Sequence, residues 1–212
     1  MIRTEEQLRQ LYEQPTERAL LKQQVDLDRY CLRFIALSPF CVIATGGAAG
    51  SLMDASPRGG APGWIKAPDA RTLLIPDAGG NNRLDSLSNL LHDPRIGLLF
   101  LVPGVNETLR VNGTAQLRDE GHFTALFAGP HFHPKLVIEV QVQEAYLHCP
   151  KALMRSRLWQ PDAQVARTVL PSLNQMIHSQ IGLGTPTETQ EQMEHRYRVL
   201  IAAEQKGGGS IG

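Results

Sequence analysis

The spacing of apolar residues divides the chain into a helical beginning, a strand-rich middle and a helical end. Between residues 19 and 37 apolar side chains recur at helical spacing. From Phe40 the pattern changes to short β-rich runs, and after Pro150 the helical spacing returns. We therefore expect two or three helices before the strands and further helices after them.

The middle of the chain contains a close series of strand candidates. They cover residues 41–45, 52–56, 72–75, 95–102, 108–117 and 134–148, with a shorter run at 64–66. One short helix lies among them, in which Leu84, Leu87 and Leu90 recur at helical spacing. Strands that follow one another so closely favour an antiparallel barrel over an alternating βαβ sheet. The expected fold is therefore mainly β with added helices.

The length of the chain is that of one domain. Its 212 residues, of which 42% are hydrophobic, can bury a sizeable core. We expect a barrel core over about residues 38–150, helical extensions over 1–38 and 150–206, and a flexible tail over 207–212. In the second extension, the start of the last helix is predicted at Thr185. Thr185 would be its N-cap, Pro186 would occupy the first helical position, and Glu188 would be the glutamate of a capping box.

Charge and cysteine content exclude several classes of protein. The 21 basic residues balance the 21 acidic ones, so no nucleic-acid partner is expected. Three widely spaced cysteines without a CxxC pair argue against a disulfide framework and a zinc site, and indicate a reducing, cytoplasmic compartment. No run approaches the roughly 18 apolar residues of a membrane span, so no membrane association is expected.

A candidate anion site lies at the start of the short central helix. Gly79 and Gly80 end a strand, after which Asn82 is expected to cap the helix. The free N–H groups of the first helical turn and the guanidinium of Arg83 suit an anion. Upstream, a strand ending near Ser56 carries Ser56 and Arg58, so Ser56, Arg58 and Arg83 could surround one phosphate. The alternative is that both arginines are solvated surface residues.

Other chemistry has weaker signals. Neither GxGxxG nor GxxxxGK[ST] occurs, so a Rossmann cofactor and P-loop chemistry lack their main motifs. His131 and His133 form a conceivable metal pair, but no further ligand motif completes it, and no metal site is expected. We interpret Cys149 as a small buried residue at a strand end rather than a nucleophile.

Four blocks of sequence in a fixed order carry a resemblance to a known family. They are Asp-Ala-Ser-Pro-Arg-Gly at 54–59, Leu-Leu-Ile-Pro-Asp at 73–77 with Gly-Asn-Asn-Arg-Leu-Asp-Ser-Leu at 80–87, Arg-Ile-Gly-Leu-Leu-Phe at 95–100, and Glu-Thr-Leu-Arg-Val-Asn-Gly at 107–113. Together they resemble the pyridoxamine 5′-phosphate oxidase-like family of FMN-binding split barrels, over about residues 35–160. The resemblance implies a six-stranded antiparallel Greek-key barrel and a homodimer with FMN in the cleft between the subunits.

The same resemblance implies roles for individual residues. Ser56 and Arg58 match the strand that meets the flavin and its phosphate, and Arg83 matches the phosphate-binding residue at the helix start. Pro76 and Asp77 match the turn along the ribityl chain, and Glu107 and Thr108 match polar groups near the flavin ring. The candidate cofactor-binding residues are therefore Ser56, Arg58, Pro76, Asp77, Asn82, Arg83, Glu107 and Thr108. The RxVLLK-like strand and the C-terminal arginine and tryptophan pattern of the true oxidases are missing, so pyridoxamine phosphate is not implied as the substrate.

A flavin supplies redox chemistry itself, so no acid–base pair is required of the protein and no catalytic residue is identified. Our first hypothesis is an FMN-dependent oxidoreductase with a small-molecule electron donor or acceptor. The second is a non-enzymatic module that binds or sequesters FMN or senses redox state. The third is haem binding through His131, His133 or His148.

Overall fold

The computed structural model describes residues 1–129 and 132–205. Three helices come first: α1 (Glu5–Arg9), α2 (Glu17–Leu21) and α3 (Arg29–Leu37). The middle of the chain contains the strands β1 (Phe40–Gly46), β2 (Met53–Gly59), β3 (Lys66–Asp69), β4 (Thr72–Pro76), β5 (Arg95–Leu101), β6 (Thr108–Arg118) and β7 (Val137–His148), with helices α4 (Asp85–His92) and α5 (Gly121–Ala125). Helices α6 (Lys151–Ser156), α7 (Leu173–Ile181) and α8 (Gln190–Gln205) follow. The predicted order of helices, strands and helices is confirmed.

All seven strands form one antiparallel sheet in the order β2-β1-β5-β6-β7-β4-β3. The expected count of six strands was wrong, because the weak run near residues 64–66 becomes the edge strand β3, which pairs irregularly with β4. Within the described residues the sheet is not closed by hydrogen bonds between β2 and β3. An open antiparallel sheet of this kind is consistent with a split barrel.

Strand β1 alternates between core and surface as its sequence predicts. In β1 the side chains of Cys41, Ile43 and Thr45 are buried and their neighbours are not. Helix α3 adds Cys31 and Ile35 to the same core. Strand β2 differs, since its residues alternate between half-buried and exposed. It is an edge strand with a polar inner face.

Strands β6 and β7 approach each other closely at Gly113. The register of the pair shifts between Asn112 and Gly113, which marks a bulge. A Cβ atom at Gly113 would lie 2.0 Å from the carbonyl oxygen of Gln141. Only glycine fits here without moving the backbone.

Helix α4 packs against β1, β2 and β6 and buries Leu87 and Leu90. The prediction that Asn82 caps this helix was wrong: the cap position is Leu84, which makes no side-chain capping bond. Asn82 and Leu84 both have left-handed backbones, with φ of 59° and 60°. Asparagine tolerates that conformation better than most residues, so Asn82 forms the tight turn before the helix.

The terminal segments attach to the sheet at a few points. Gln24 exchanges backbone hydrogen bonds of 2.9 and 2.8 Å with Ala145 in β7. After the sheet, Trp159 Nε1 donates to the carbonyl oxygen of Val105 at 2.8 Å. None of the described helices has both the length and the apolar character needed to cross a lipid bilayer.

The last helix begins later than predicted. It starts at Gln190, where Thr189 Oγ1 accepts from the Gln192 backbone and Gln192 Oε1 accepts from the Thr189 backbone. These two bonds form a capping box. Glu188, predicted to belong to such a box, instead accepts hydrogen bonds from Arg196 at 3.0 Å. The predicted tail over residues 207–212 lies outside the described residues.

Candidate functional site

Strand β2 presents Asp54, Ser56 and Arg58 on one face, because side chains two residues apart point to the same side of a strand. These three side chains are half-buried, whereas the residues between them are exposed. Helix α4 packs against this strand, and its Ser86 is only 1% exposed. The polar inner face of β2 therefore meets the first turn of α4.

Four side chains form a hydrogen-bonded group at this contact, which we call the Asp54 cluster: Asp54, Ser56, Arg58 and Ser86. Ser56 Oγ donates to Asp54 Oδ2 at 2.8 Å, and Ser86 Oγ donates to the same oxygen at 2.7 Å. Arg58 Nη2 donates to Ser86 Oγ at 3.2 Å. The cluster thus joins an edge strand to a helix through one carboxylate oxygen and one hydroxyl.

Asp54 is held in its ionised form. Burial alone would raise the pKa of Asp54, but the hydrogen bonds from Ser86 and Ser56, together with the charge of Arg58, bring the pKa below its ordinary value. At neutral pH the cluster therefore contains a carboxylate next to a guanidinium.

Arg83 lies in the turn before α4 and is bonded locally. Its Nε donates to Asp85 Oδ2 at 2.8 Å, and its side chain is 72% exposed. The charge of Asp54 also acts on Arg83, so the two lie within electrostatic range. An exposed ion pair of this kind holds its partners weakly, which leaves Arg83 able to turn toward a bound anion.

Asp77 follows β4 at the opposite end of the sheet order from β2. Burial raises the pKa of Asp77, and the charges of Arg58 and Lys135 partly offset that rise. Four strands separate β2 from β4 in the sheet, yet Arg58 acts on Asp77. The sheet therefore curls enough to bring Asp77 and Arg58 within electrostatic range.

The other candidate residues lie apart from the Asp54 cluster. Pro76 is buried at the end of β4, and Asn82 is exposed in the turn before α4. Glu107 is exposed, and Thr108, which is 8% exposed, pairs with His148. The register places Arg58 three strands away from Leu109, the residue that follows Thr108, along the sheet.

Two members of the cluster were not singled out from the sequence. Asp54 follows the same alternation as Ser56 and Arg58, and that alternation could have identified it. Ser86 has no comparable local signal, because its role depends on how α4 packs on β2. Nearby, Asn89 Nδ2 donates to the buried Thr45 Oγ1 at 3.1 Å and extends the polar contact along the helix.

Among the described residues, the histidine and cysteine side chains form no metal-binding group. No group of three or more potential metal ligands occurs among residues 1–129 and 132–205. His131 lies outside the described residues. His133 precedes the 12-residue strand β7 and His148 is its last residue, and both are exposed. Cys149 is exposed, so its interpretation as a buried residue was wrong.

The buried thiols are not nucleophiles. Burial raises the pKa of Cys31 to about 11 and that of Cys41 to about 12, the latter against the opposing charge of Arg58. Both remain protonated at neutral pH.

A cleft of about 400 Å³ lies between α7 and α8, away from the Asp54 cluster. Arg167 lines it but donates to the carbonyl oxygens of Leu170 and Pro171 and to Gln190. These bonds fix the loop before α7. Because they occupy the guanidinium of Arg167, that group does not face a ligand.

Comparison with known proteins relates the strand-bearing part of the chain to one family. The sequence profile of the pyridoxamine 5′-phosphate oxidase family matches residues 27–149. A comparison with curated proteins gave no match.

Solved structures with a similar arrangement include HupZ from Group A Streptococcus, with 18% identity over 57% of this chain and 92% of that chain and a TM-score of 0.45. An FMN-binding protein from Syntrophomonas wolfei has 12% identity over 57% of this chain and 88% of that chain, with a TM-score of 0.43. An FAD binding protein from Mycobacterium smegmatis has 12% identity over 59% of this chain and 97% of that chain, with a TM-score of 0.41. Since the family profile spans more than half of the sequence and includes all seven strands, this chain belongs to the pyridoxamine 5′-phosphate oxidase family.

Proposed function

We propose that this protein is an FMN-binding flavoprotein and acts as a flavin-dependent oxidoreductase. The observation that carries the proposal is the position of Arg58, which reaches from β2 to Ser86 in the first turn of α4. A guanidinium, serine hydroxyls and the first turn of a helix are groups that bind phosphate oxygens. The match to the family, which includes β2 and α4, supports the same ligand.

The donor set fits the phosphate of FMN. Arg58 and Ser56 lie on one strand face, Ser86 faces them, and the exposed Arg83 lies within one turn of the chain. These residues would hold the phosphate, and Pro76 and Asp77 would line the ribityl chain. The bound flavin would supply the redox chemistry, while the chain binds the cofactor, orients it and limits the access of water.

We further propose that the active form is a cytoplasmic homodimer. Glu107 and Thr108 lie three strands away from Arg58 along the sheet, and a second subunit would bring its own copies of them to the flavin ring. Leu52, before β2, and Met53, its first residue, are 90% and 74% exposed, and Leu91 on helix α4 is 74% exposed. Large apolar side chains exposed at the surface favour a protein contact.

The experiment that tests the proposal is a visible absorption spectrum of the purified protein, with the cofactor released by denaturation and identified by mass. We expect a flavin spectrum and FMN. Anaerobic addition of NADH or NADPH should then bleach the bound flavin if either is the electron donor, and air should restore it. A colourless protein that also fails to bind added FMN would contradict the proposal. If FMN is bound but no electron donor reduces it, the protein is a module that sequesters FMN or senses redox state rather than an oxidoreductase.

A further inference from the structure

The proposed phosphate site already contains an anion. A serine hydroxyl has one proton to donate, and both Ser56 and Ser86 donate theirs to Asp54 Oδ2, at 2.8 and 2.7 Å. Phosphate oxygens that carry no proton can only accept hydrogen bonds. While Asp54 keeps this position, neither hydroxyl has a proton left for a phosphate.

The balance of charge around the cluster opposes a dianion in the same way. Three cationic groups, Arg58, Arg83 and Lys135, are matched by three carboxyl groups, those of Asp54, Asp77 and Asp85. Arg83 is paired with Asp85 at 2.8 Å, and Arg58 lies within range of both Asp54 and Asp77. The flavin phosphate carries about two negative charges at neutral pH and would meet a site that is already neutralised.

We propose that Asp54 is a specificity-determining residue whose carboxylate competes with the flavin phosphate for the Ser56 and Ser86 hydroxyls. This inference rests on the proposed function and adds a property to it. By holding both hydroxyls, Asp54 weakens the binding of FMN selectively and leaves riboflavin, which has no phosphate, almost unaffected. The site is therefore less selective for the phosphorylated flavin than its arginines alone would make it.

Flavin titrations with the Asp54→Asn variant test this inference. Asparagine keeps an oxygen that can accept the two hydroxyl hydrogen bonds but removes the charge. It therefore ends the repulsion of the phosphate and weakens the competition for the hydroxyls. We expect FMN to bind about tenfold more tightly, as removal of one nearby like charge at a partly exposed site allows. Riboflavin affinity should change by less than about twofold, because no phosphate is present to feel the lost charge.

Two further variants make the result specific. Asp54→Ala frees both hydroxyls without offering another acceptor, and it should tighten FMN binding in the same direction. Glu17→Gln makes the same change in net charge on the exposed helix α2, which is not part of the cluster, and it should leave the ratio of the two affinities unchanged. Circular dichroism and thermal melting establish that each variant is folded before the titration.

The outcomes separate the inference from the proposed function. If wild type binds FMN and the folded Asp54 variants bind it equally or more weakly, Asp54 only positions the cluster and the inference is overturned. If an Asp54 variant binds FMN and wild type does not, the competition by Asp54 is supported, while FMN is ruled out as the cofactor of wild type and the proposed function is overturned. If none of these proteins binds either flavin, the proposed function is wrong and the inference fails with it.

Discussion

Ser86 lies between Asp54 and Arg58, donating to the carboxylate at 2.7 Å and accepting from the guanidinium at 3.2 Å. It is 1% exposed and is the only link by side-chain hydrogen bonds between helix α4 and strand β2 within the described part of the chain. Pairing with β1 holds the backbone of β2, and Arg58 Nη1 also donates to the carbonyl oxygen of Pro57 at 3.0 Å. Ser86 therefore fixes the part of the Arg58 side chain that faces α4.

The Ser86→Ala substitution should destabilise the protein. It leaves the half-buried Asp54 carboxylate and Arg58 guanidinium each with one hydrogen-bond partner fewer, which costs about 1–3 kcal/mol. Urea denaturation followed by circular dichroism measures this loss in the free energy of unfolding. Ser88→Ala, on the exposed side of the same helix, is the matched control and should stay within about 0.5 kcal/mol of wild type. Equal stability of the two variants would mean that the Ser86 bonds contribute nothing.

The Arg58→Ala substitution should weaken FMN binding much more than riboflavin binding. Charge-assisted bonds to a phosphate contribute about 1.5–3 kcal/mol each, so FMN affinity should fall at least tenfold. Fluorescence titration with the two flavins gives both values. Arg33→Ala removes an exposed arginine of helix α3 and should change neither affinity. An equal loss for FMN and riboflavin would place Arg58 away from the phosphate.

Local patterns in the sequence predicted the strands and the side chains that share one face of β2. The period of two in β2 placed Ser56 and Arg58 on one face, and the apolar runs located the strands. Asp54 shares that period, so the negative charge in the site was also accessible from the sequence. Its effect becomes apparent only when hydrogen-bond partners are known.

Tertiary packing determined what the sequence did not predict. Ser86 becomes part of the cluster because Leu87 and Leu90 fix the rotation of α4 on the sheet. Asn82 forms a left-handed turn instead of a cap, because the chain must reverse before α4 packs on β2. The short strand β3 forms only because β4 offers it an edge. None of these features follows from residue spacing.

The Gly113→Ala substitution should strongly destabilise the sheet. The new Cβ would lie 2.0 Å from the carbonyl oxygen of Gln141, and strand β7 must shift to make room. We expect a loss of about 3 kcal/mol in the free energy of unfolding. Gly121→Ala, where no atom lies within 4 Å of the new Cβ, is the control and should be neutral or slightly stabilising. A Gly113→Ala protein as stable as wild type would show that the bulge adapts at no cost.

The Asp77→Asn substitution should make the protein more stable at neutral pH and no more stable in acid. Burial raises the pKa of Asp77 in the folded protein above its value of about 3.9 in an unfolded chain. Between these two pKa values the folded state binds more protons than the unfolded state, so this carboxyl lowers stability as the pH rises through its folded pKa. Because asparagine does not titrate, the variant does not lose this stability as the pH rises. Thermal melting of both proteins between pH 3 and pH 7 should give curves that converge below about pH 4 and separate above it.

Asp119→Asn removes an exposed carboxyl after β6 and should follow wild type at every pH. If Asp77→Asn is instead less stable than wild type at pH 7, the attraction of Arg58 and Lys135 outweighs the burial of Asp77, and its folded pKa lies below the ordinary value.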